Sequence, residues 1–193
     1  TLKKTVERDG YDAIQVGYEE KKASRLTKAR QGIFAKANTT TKEFLFELKG
    51  DEMNGYEVGQ EIKADLFQAG EIVDIIGKSK GRGYAGVIKR WGHKIGPKGH
   101  GSGYHRGQGS FANNGRCNNR VIPGKKMSGH MGNQSATVLN QVVVDSNKEM
   151  NYILVSGGVP GPKKGLVKIR SAIKPVANPL KVETLINRTP KAE

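Results

Sequence analysis

Apolar and polar residues alternate over short stretches along most of the chain, and turn-forming residues separate those stretches. Residues 11–18 follow the two-residue period of a half-buried strand, and residues 44–48, 61–67 and 71–76 repeat it with Gly- and Asn-bearing turns between them. Residues 138–144 and 152–155 flank Asp145-Ser-Asn-Lys148, which reads as a hairpin connection. Residues 166–170 give another short strand, preceded by the Pro/Gly-rich Gly157-Gly-Val-Pro-Gly-Pro162. Helical periodicity is scarce; residues 21–36 suit a helix or two short turns. Many short strands joined by turns predict a mostly β protein, a barrel or a sandwich rather than alternating β-α units.

The pattern stops in the middle. Residues 89–132 contain 9 Lys/Arg, 11 glycines, all four histidines and only four Ile, Val, Leu or Phe, namely Ile95, Phe111, Val121 and Ile122. Elsewhere those four apolar types are far denser, so the hydrophobic material belongs to the flanks. The expected organisation is a discontinuous body, residues 1–88 and 133–193, with residues 89–132 inserted as a long irregular extension. A loop of that length inside a small domain is functional or disordered, and a functional one is expected here. Run out and back, it would reach up to roughly 70 Å at about 3.3 Å per residue. Beyond Pro175, residues 176–193 read as an extended surface tail punctuated by Asn178-Pro179 and Thr189-Pro190.

Composition narrows the classes. At 193 residues, 35% of them hydrophobic and 6% aromatic, the chain is one domain's worth with a modest core. No apolar run approaches the roughly 20 residues needed to cross a bilayer, and the opening TLKKTVERDG has no secretion signal, so a soluble intracellular protein is expected. The single cysteine, Cys117, can form neither an internal disulfide nor a thiolate zinc cage.

Charge changes the picture most. The chain carries 33 Lys+Arg against 18 Asp+Glu, a net +15, but the excess is not spread evenly. Residues 1–74 hold 12 basic and 14 acidic groups and residues 145–193 hold 9 and 4, whereas the whole span between Asp74 and Asp145 holds 12 basic groups and no acid. A solvated face gains nothing from excluding every carboxylate over such a length, because interspersed opposite charges relieve self-repulsion. A polyanion does explain it: each Lys or Arg on a phosphate backbone releases counterions, and a carboxylate among them would be repelled.

Competing motifs are weak. Gly81-Arg-Gly83-Tyr-Ala-Gly86 spells a dinucleotide-binding turn, but the ribose-binding acid expected about 20 residues on is absent and no amphipathic helix follows. The glycine spacing of a phosphate-binding P-loop is missing too. Residues 82–89 partly match an RNA-recognition strand, yet Gly86 and Lys89 stand where stacking aromatics belong. His93, His100, His105, His130 and Cys117 have no metal-ligand spacing, and without a nearby carboxylate no acid-base pair forms. Histidines among phosphates suit hydrogen bonding or stacking. The glycine runs at 96–103 and 107–109 allow close backbone approach, and Trp91, Tyr104 and Phe111 among basic groups offer surfaces for unpaired bases rather than a plain linker.

Three blocks carry a resemblance: Gly77-Lys-Ser-Lys-Gly-Arg-Gly-Tyr-Ala-Gly-Val-Ile-Lys-Arg-Trp91, then His100-Gly-Ser with His105-Arg106, then Gly124-Lys-Lys-Met-Ser-Gly-His-Met-Gly132. With Asp9-Gly-Tyr-Asp-Ala-Ile-Gln-Val16, Val58-Gly-Gln-Glu-Ile62 and Leu154-Val-Ser-Gly-Gly-Val-Pro-Gly161, the chain closely resembles the universal large-subunit ribosomal protein L-three family in its bacterial form. The resemblance implies a translation-protein-type β-barrel body on the subunit surface, an extension threaded into large-subunit rRNA toward the peptidyl transferase centre, and an early role in subunit assembly. The family's opening strand would precede Thr1, so a trimmed chain and an incomplete barrel are expected. Residues 111–120 diverge from better-known bacterial forms and contain no glutamine, so the methylated glutamine of some relatives is not expected.

The resulting expectation is a noncatalytic rRNA-binding constituent of the large subunit in the cytoplasm. Lys78, Lys80, Arg82, Lys89, Arg90, Lys94, Lys98, Arg106, Arg116, Arg120, Lys125 and Lys126 would neutralise phosphates, while Trp91, His93, His105 and His130 would pack or hydrogen-bond along the RNA. Partners are large-subunit rRNA and neighbouring ribosomal proteins; no cofactor, metal, membrane or self-association is expected. The alternatives are a nucleotide-dependent enzyme using Gly81–Gly86 and an RNA-binding regulator acting off the ribosome.

Overall fold

Strand pairing dominates, as the alternation requires. The computed structural model describes residues 1–49, 55–112, 120–176 and 182, and the chain divides into two units, Thr1–Lys63 and Ala64–Glu193.

In the first unit β1 (Leu2–Lys4), β2 (Ala13–Glu20) and β3 (Lys42–Lys49) form an antiparallel sheet in the order β1-β2-β3. Register runs from Ala13 opposite Lys49 to Glu20 opposite Lys42. A short helix α1 (Val6–Asp9) bridges the first two strands and ends at Gly10, whose φ of 82° stops it. The stretch expected as a helix or two turns supplies both: a 3-10 turn at Ala23–Arg25 and helix α2 (Lys28–Lys36). Leu26, Phe34 and Ala37 are buried here, as are Ala13 and Ile14 of β2. Burial of a side chain such as Phe34 stabilises by about 1.5–3 kcal/mol. Gln31 ties turn to helix, its amide donating to the Ala23 carbonyl at 2.6 Å and to the Leu26 carbonyl at 3.1 Å.

The second unit is built on β4 (Ile72–Lys78), β7 (Ser135–Asn147), β8 (Tyr152–Val155) and β9 (Val167–Ser171), an antiparallel sheet in the order β8-β7-β4-β9. Two further strands, β5 (Tyr84–Ala85) and β6 (Gly129–His130), pair with each other, and helix α3 (Val87–Trp91) follows β5. Val73, Ile75 and Val143 form the core, packed by Phe67, Ile153, Val155, Val167 and Ile169. Buried Asp74 sits at a bulge of β4, where the register against β7 shifts between Val73 and Ile75. The mostly β expectation holds, and the ladders among the described residues are open sheets that close no barrel.

Two local expectations are corrected. Residues 61–67 alternate like a strand but make a 3-10 turn at Ala64–Leu66. No ladder holds them; instead the Asn151 side chain accepts the Ala64 amide at 3.1 Å and Asp65 pairs with Lys148 at 2.7 Å, leaving Ile62 and Leu66 exposed. The hairpin connection also lies later than Asp145–Lys148, because β7 continues to Asn147, whose side chain accepts the amides of Glu149 at 2.8 Å and Met150 at 3.0 Å.

Candidate nucleic-acid interface

The β4–β7 ladder does not stop at Lys78 opposite Ser135. Beyond it the Ser79 amide donates to the Gln134 carbonyl at 2.9 Å, the Asn133 amide to the Ser79 carbonyl at 3.1 Å, the Arg82 amide to the Met131 carbonyl at 2.8 Å and the Met131 amide to the Gly83 carbonyl at 2.9 Å. Tyr84 then pairs with His130 and Ala85 with Gly129. The two limbs of the acid-free window thus leave the sheet as one hydrogen-bonded stalk. At its turn Gly132 adopts φ +75°, and a Cβ there would run into the Lys80 carbonyl oxygen.

At the top of the stalk Ala85 of β5 and Val87 of α3 are buried, and Gly92, with a φ of 70°, ends the helix. Arg90 and Trp91 both reach across to the returning limb. The Arg90 guanidinium donates to the Met127 carbonyl at 3.0 Å, and the Trp91 indole N–H donates to the same oxygen at 2.8 Å. The Trp91 ring lies 5.0 Å from the Arg90 guanidinium and 5.5 Å from the Lys126 ammonium, and it keeps 42% of its surface exposed. Cations over a half-exposed indole suit a surface that meets bases and phosphates together.

Farther out the limbs fold on each other. The Gly96 amide donates to the His105 carbonyl at 2.8 Å, and the Gln108 amide group donates to the Lys126 carbonyl at 2.9 Å. Tyr104 lies against the backbone of Gly96 and Gly107 so closely that a Cβ on either glycine would strike it. His105 Nδ1 is 2.7 Å from the Pro97 carbonyl oxygen, which can only accept, so this nitrogen carries the proton.

Of the expected site residues, Arg90, Trp91 and Lys126 come together around Met127. His130 meets Tyr84 edge to face at 5.7 Å between ring centroids. Lys78, Lys80, Arg82, Lys89, Lys94, Lys98, Arg106 and Arg120 are exposed along the two limbs, His93 and Lys125 are half-buried, and His105 stands apart with Pro97. Arg116 and Cys117 lie outside the described residues. Tyr84, 70% exposed and in contact with Ser128 at 3.2 Å between hydroxyls, belongs with this surface. Its place beside Arg82 in a Gly-rich strand was the signal for it.

Burial and charge together define the surface. Among the described residues of 89–132 none is buried, although the limbs carry local order that composition did not announce. The ion pairs described all lie outside the acid-free window: Lys4–Glu47, Lys21–Glu43, Lys42–Glu20, Lys148–Asp65 and Arg170–Asp74. The result is a cationic arm with exposed Trp91, Ile95, Tyr104, Phe111, Val121 and Ile122 and no carboxylate of its own.

Residues 52–151 match the model of the family described as ribosomal protein L3. The chain is 48% identical to large ribosomal subunit protein uL3 of Oceanobacillus iheyensis over 172 residues, covering 89% of this chain and 81% of that protein. The chain belongs to the ribosomal protein L3 family. The proteins of the same name from Geobacillus thermodenitrificans and from Bacillus cereus are each 49% identical over the same shares.

Membership in a family of structural ribosomal components, not enzymes, disposes of the catalytic alternative. The geometry agrees: Gly86 opens a helix of only five residues, and Gly81 and Gly83 line a cleft with His130 and Gly132. A dinucleotide turn needs a full helix whose N-terminus faces the pyrophosphate. Among the described residues no group of three His, Cys, Asp or Glu is placed to hold a metal, and no helix is long and apolar enough to cross a membrane.

Proposed function

We propose that this L3-family chain is a noncatalytic constituent of the large subunit of the cytoplasmic ribosome that binds large-subunit rRNA through its acid-free arm. Residues 1–88 and 133–193 form the body, of translation-protein β-barrel type, and residues 89–132 form the part that penetrates RNA. The arm supports early subunit assembly and buttresses the region near the peptidyl transferase centre. Its partners are rRNA and adjacent ribosomal proteins, and it acts as a single copy.

The observation that carries this reading is the combination of 12 Lys/Arg and no acid between Asp74 and Asp145 with an arm in which no described residue is buried. Such an arm gains its binding energy from phosphate contacts and stacked bases rather than from its own core. If half of the 12 cations meet phosphates, log affinity for rRNA falls against log salt with a slope of about −4 to −5. A slope near zero contradicts the reading. Cosedimentation with large subunits in high salt separates it from a regulator acting off the ribosome, which would share the slope and be absent from the pellet.

A further inference from the structure

A second acid-free segment lies in the first unit, hidden when residues 1–74 are averaged. The span 21–42, between Glu20 and Glu43, holds 7 Lys/Arg and no acid, while the rest of that unit holds 5 Lys/Arg and 11 acids. The bordering Lys21 and Lys42 are held by Glu43 and Glu20 at 3.1 and 3.3 Å. Lys22, Arg25, Lys28, Arg30 and Lys36 are exposed and take part in none of the ion pairs described.

This segment is not a solvated linker. Leu26, Phe34 and Ala37 anchor one side of it in the core of the unit, and Gln31 fastens the 3-10 turn to α2. The five cations are therefore displayed by a fixed element. Their placement opposes helix stability. Lys28 and Arg30 occupy the first turn of α2, where the helix dipole favours carboxylates and none is present. Lys22 and Arg25 precede them with no acid between. A free protein would relieve the cost at the helix start with one or two Glu residues. An anionic partner reverses its sign.

We infer that residues 21–36, through the exposed Lys22, Arg25, Lys28, Arg30 and Lys36, form a second rRNA backbone-binding segment outside the arm. It rests on the RNA-binding reading proposed above. The one aromatic side chain in this segment, Phe34, is buried and the segment has no glycine run, so it grips phosphates along an RNA helix without reading bases.

The test uses the full chain and protein-free large-subunit rRNA. Lysine acylation followed by mass spectrometry should show Lys22, Lys28 and Lys36 protected by the RNA, together with Lys94 and Lys98 of the arm. The variant K22Q/R25Q/K28Q/R30Q/K36Q, whose glutamines keep helix propensity, should retain its far-ultraviolet circular dichroism. If three of its lost cations met phosphates, its salt slope becomes shallower by about 2 to 3. Protection of Lys94 and Lys98 without Lys22, Lys28 and Lys36, or an unchanged slope in the variant, overturns this inference and leaves the arm reading standing. Protection of neither set overturns the arm reading itself. Protection of Lys22, Lys28 and Lys36 only in assembled subunits assigns the surface to a protein neighbour and also overturns the inference.

Discussion

Asp74 and Arg170 stand directly opposite each other across the β4–β9 ladder, and the guanidinium donates to Asp74 Oδ2 at 3.3 Å. Asp74 is 1% exposed, and its other oxygen accepts the amide of Asn140 at 3.1 Å from the β7 side. One carboxylate therefore ties the bulge of β4 to both neighbouring strands.

Removing that carboxylate leaves a buried amide without an acceptor. Asp74→Ala should destabilise the chain by about 2–4 kcal/mol. Asp74→Asn, which keeps an acceptor for Asn140, should cost roughly half as much. Urea unfolding measures both. Equal, negligible losses would mean that the bulge is held by its ladder alone.

The indole N–H of Trp91 can be deleted while its ring is kept. Trp91→Phe loses the bond to the Met127 carbonyl, about 1 kcal/mol net, and local opening of the arm's root should rise about fivefold. Limited proteolysis of the free protein should cut within residues 92–126 faster, with the unfolding midpoint of the body unchanged. Identical cleavage rates would show that Arg90 alone holds Met127.

At Gly132 both conformation and space forbid a side chain. Gly132→Ala should force the Lys80 carbonyl aside and weaken the amide bonds of Arg82 and Met131, at a cost of about 1–3 kcal/mol. Hydrogen exchange at those two amides should accelerate while that of Val73 and Val143 stays slow. Unchanged exchange would mean that the stalk absorbs the methyl group.

Acid should loosen the first sheet through two carboxylates. Lys4 at 2.8 Å and the Tyr11 hydroxyl at 3.0 Å hold Glu47 below its ordinary value of 4.5, and the Thr40 hydroxyl with Lys42 does the same for Glu20. Because folding lowers these values, their contribution is complete above about 4.5 and is lost as pH falls through the lowered values. Lys4 is raised above 10.5 by Glu47 and Tyr11, so its share is complete below that pH and fades only in strong alkali. Unfolding midpoints between pH 7 and pH 3 should fall less in Glu20→Gln and Glu47→Gln than in the parent chain. An equal fall would assign the acid sensitivity to other groups.

Apart from β1 (Leu2–Lys4), the strands of the two main sheets were legible because they rest on periodicity, which is a local property. Residues 44–48 and 138–144 alternate and find ladder partners; residues 61–67 alternate equally well and find none, and periodicity cannot tell the two apart. The stalk was illegible for a different reason. Tyr84–Ala85 and Gly129–His130 are two-residue strands far apart in the chain, and a five-residue helix among glycines has no pattern of its own. Their order comes from single bonds between the limbs, above all those to Met127. The basic segment 21–42 escaped because its cations were averaged with the acids on either side of it in the chain.

Because both donors to the Met127 carbonyl come from adjacent residues of one short helix, the root of the arm is braced by the chain itself. On the reading proposed above, that root would enter RNA without first having to be ordered, which lowers the entropic cost of binding.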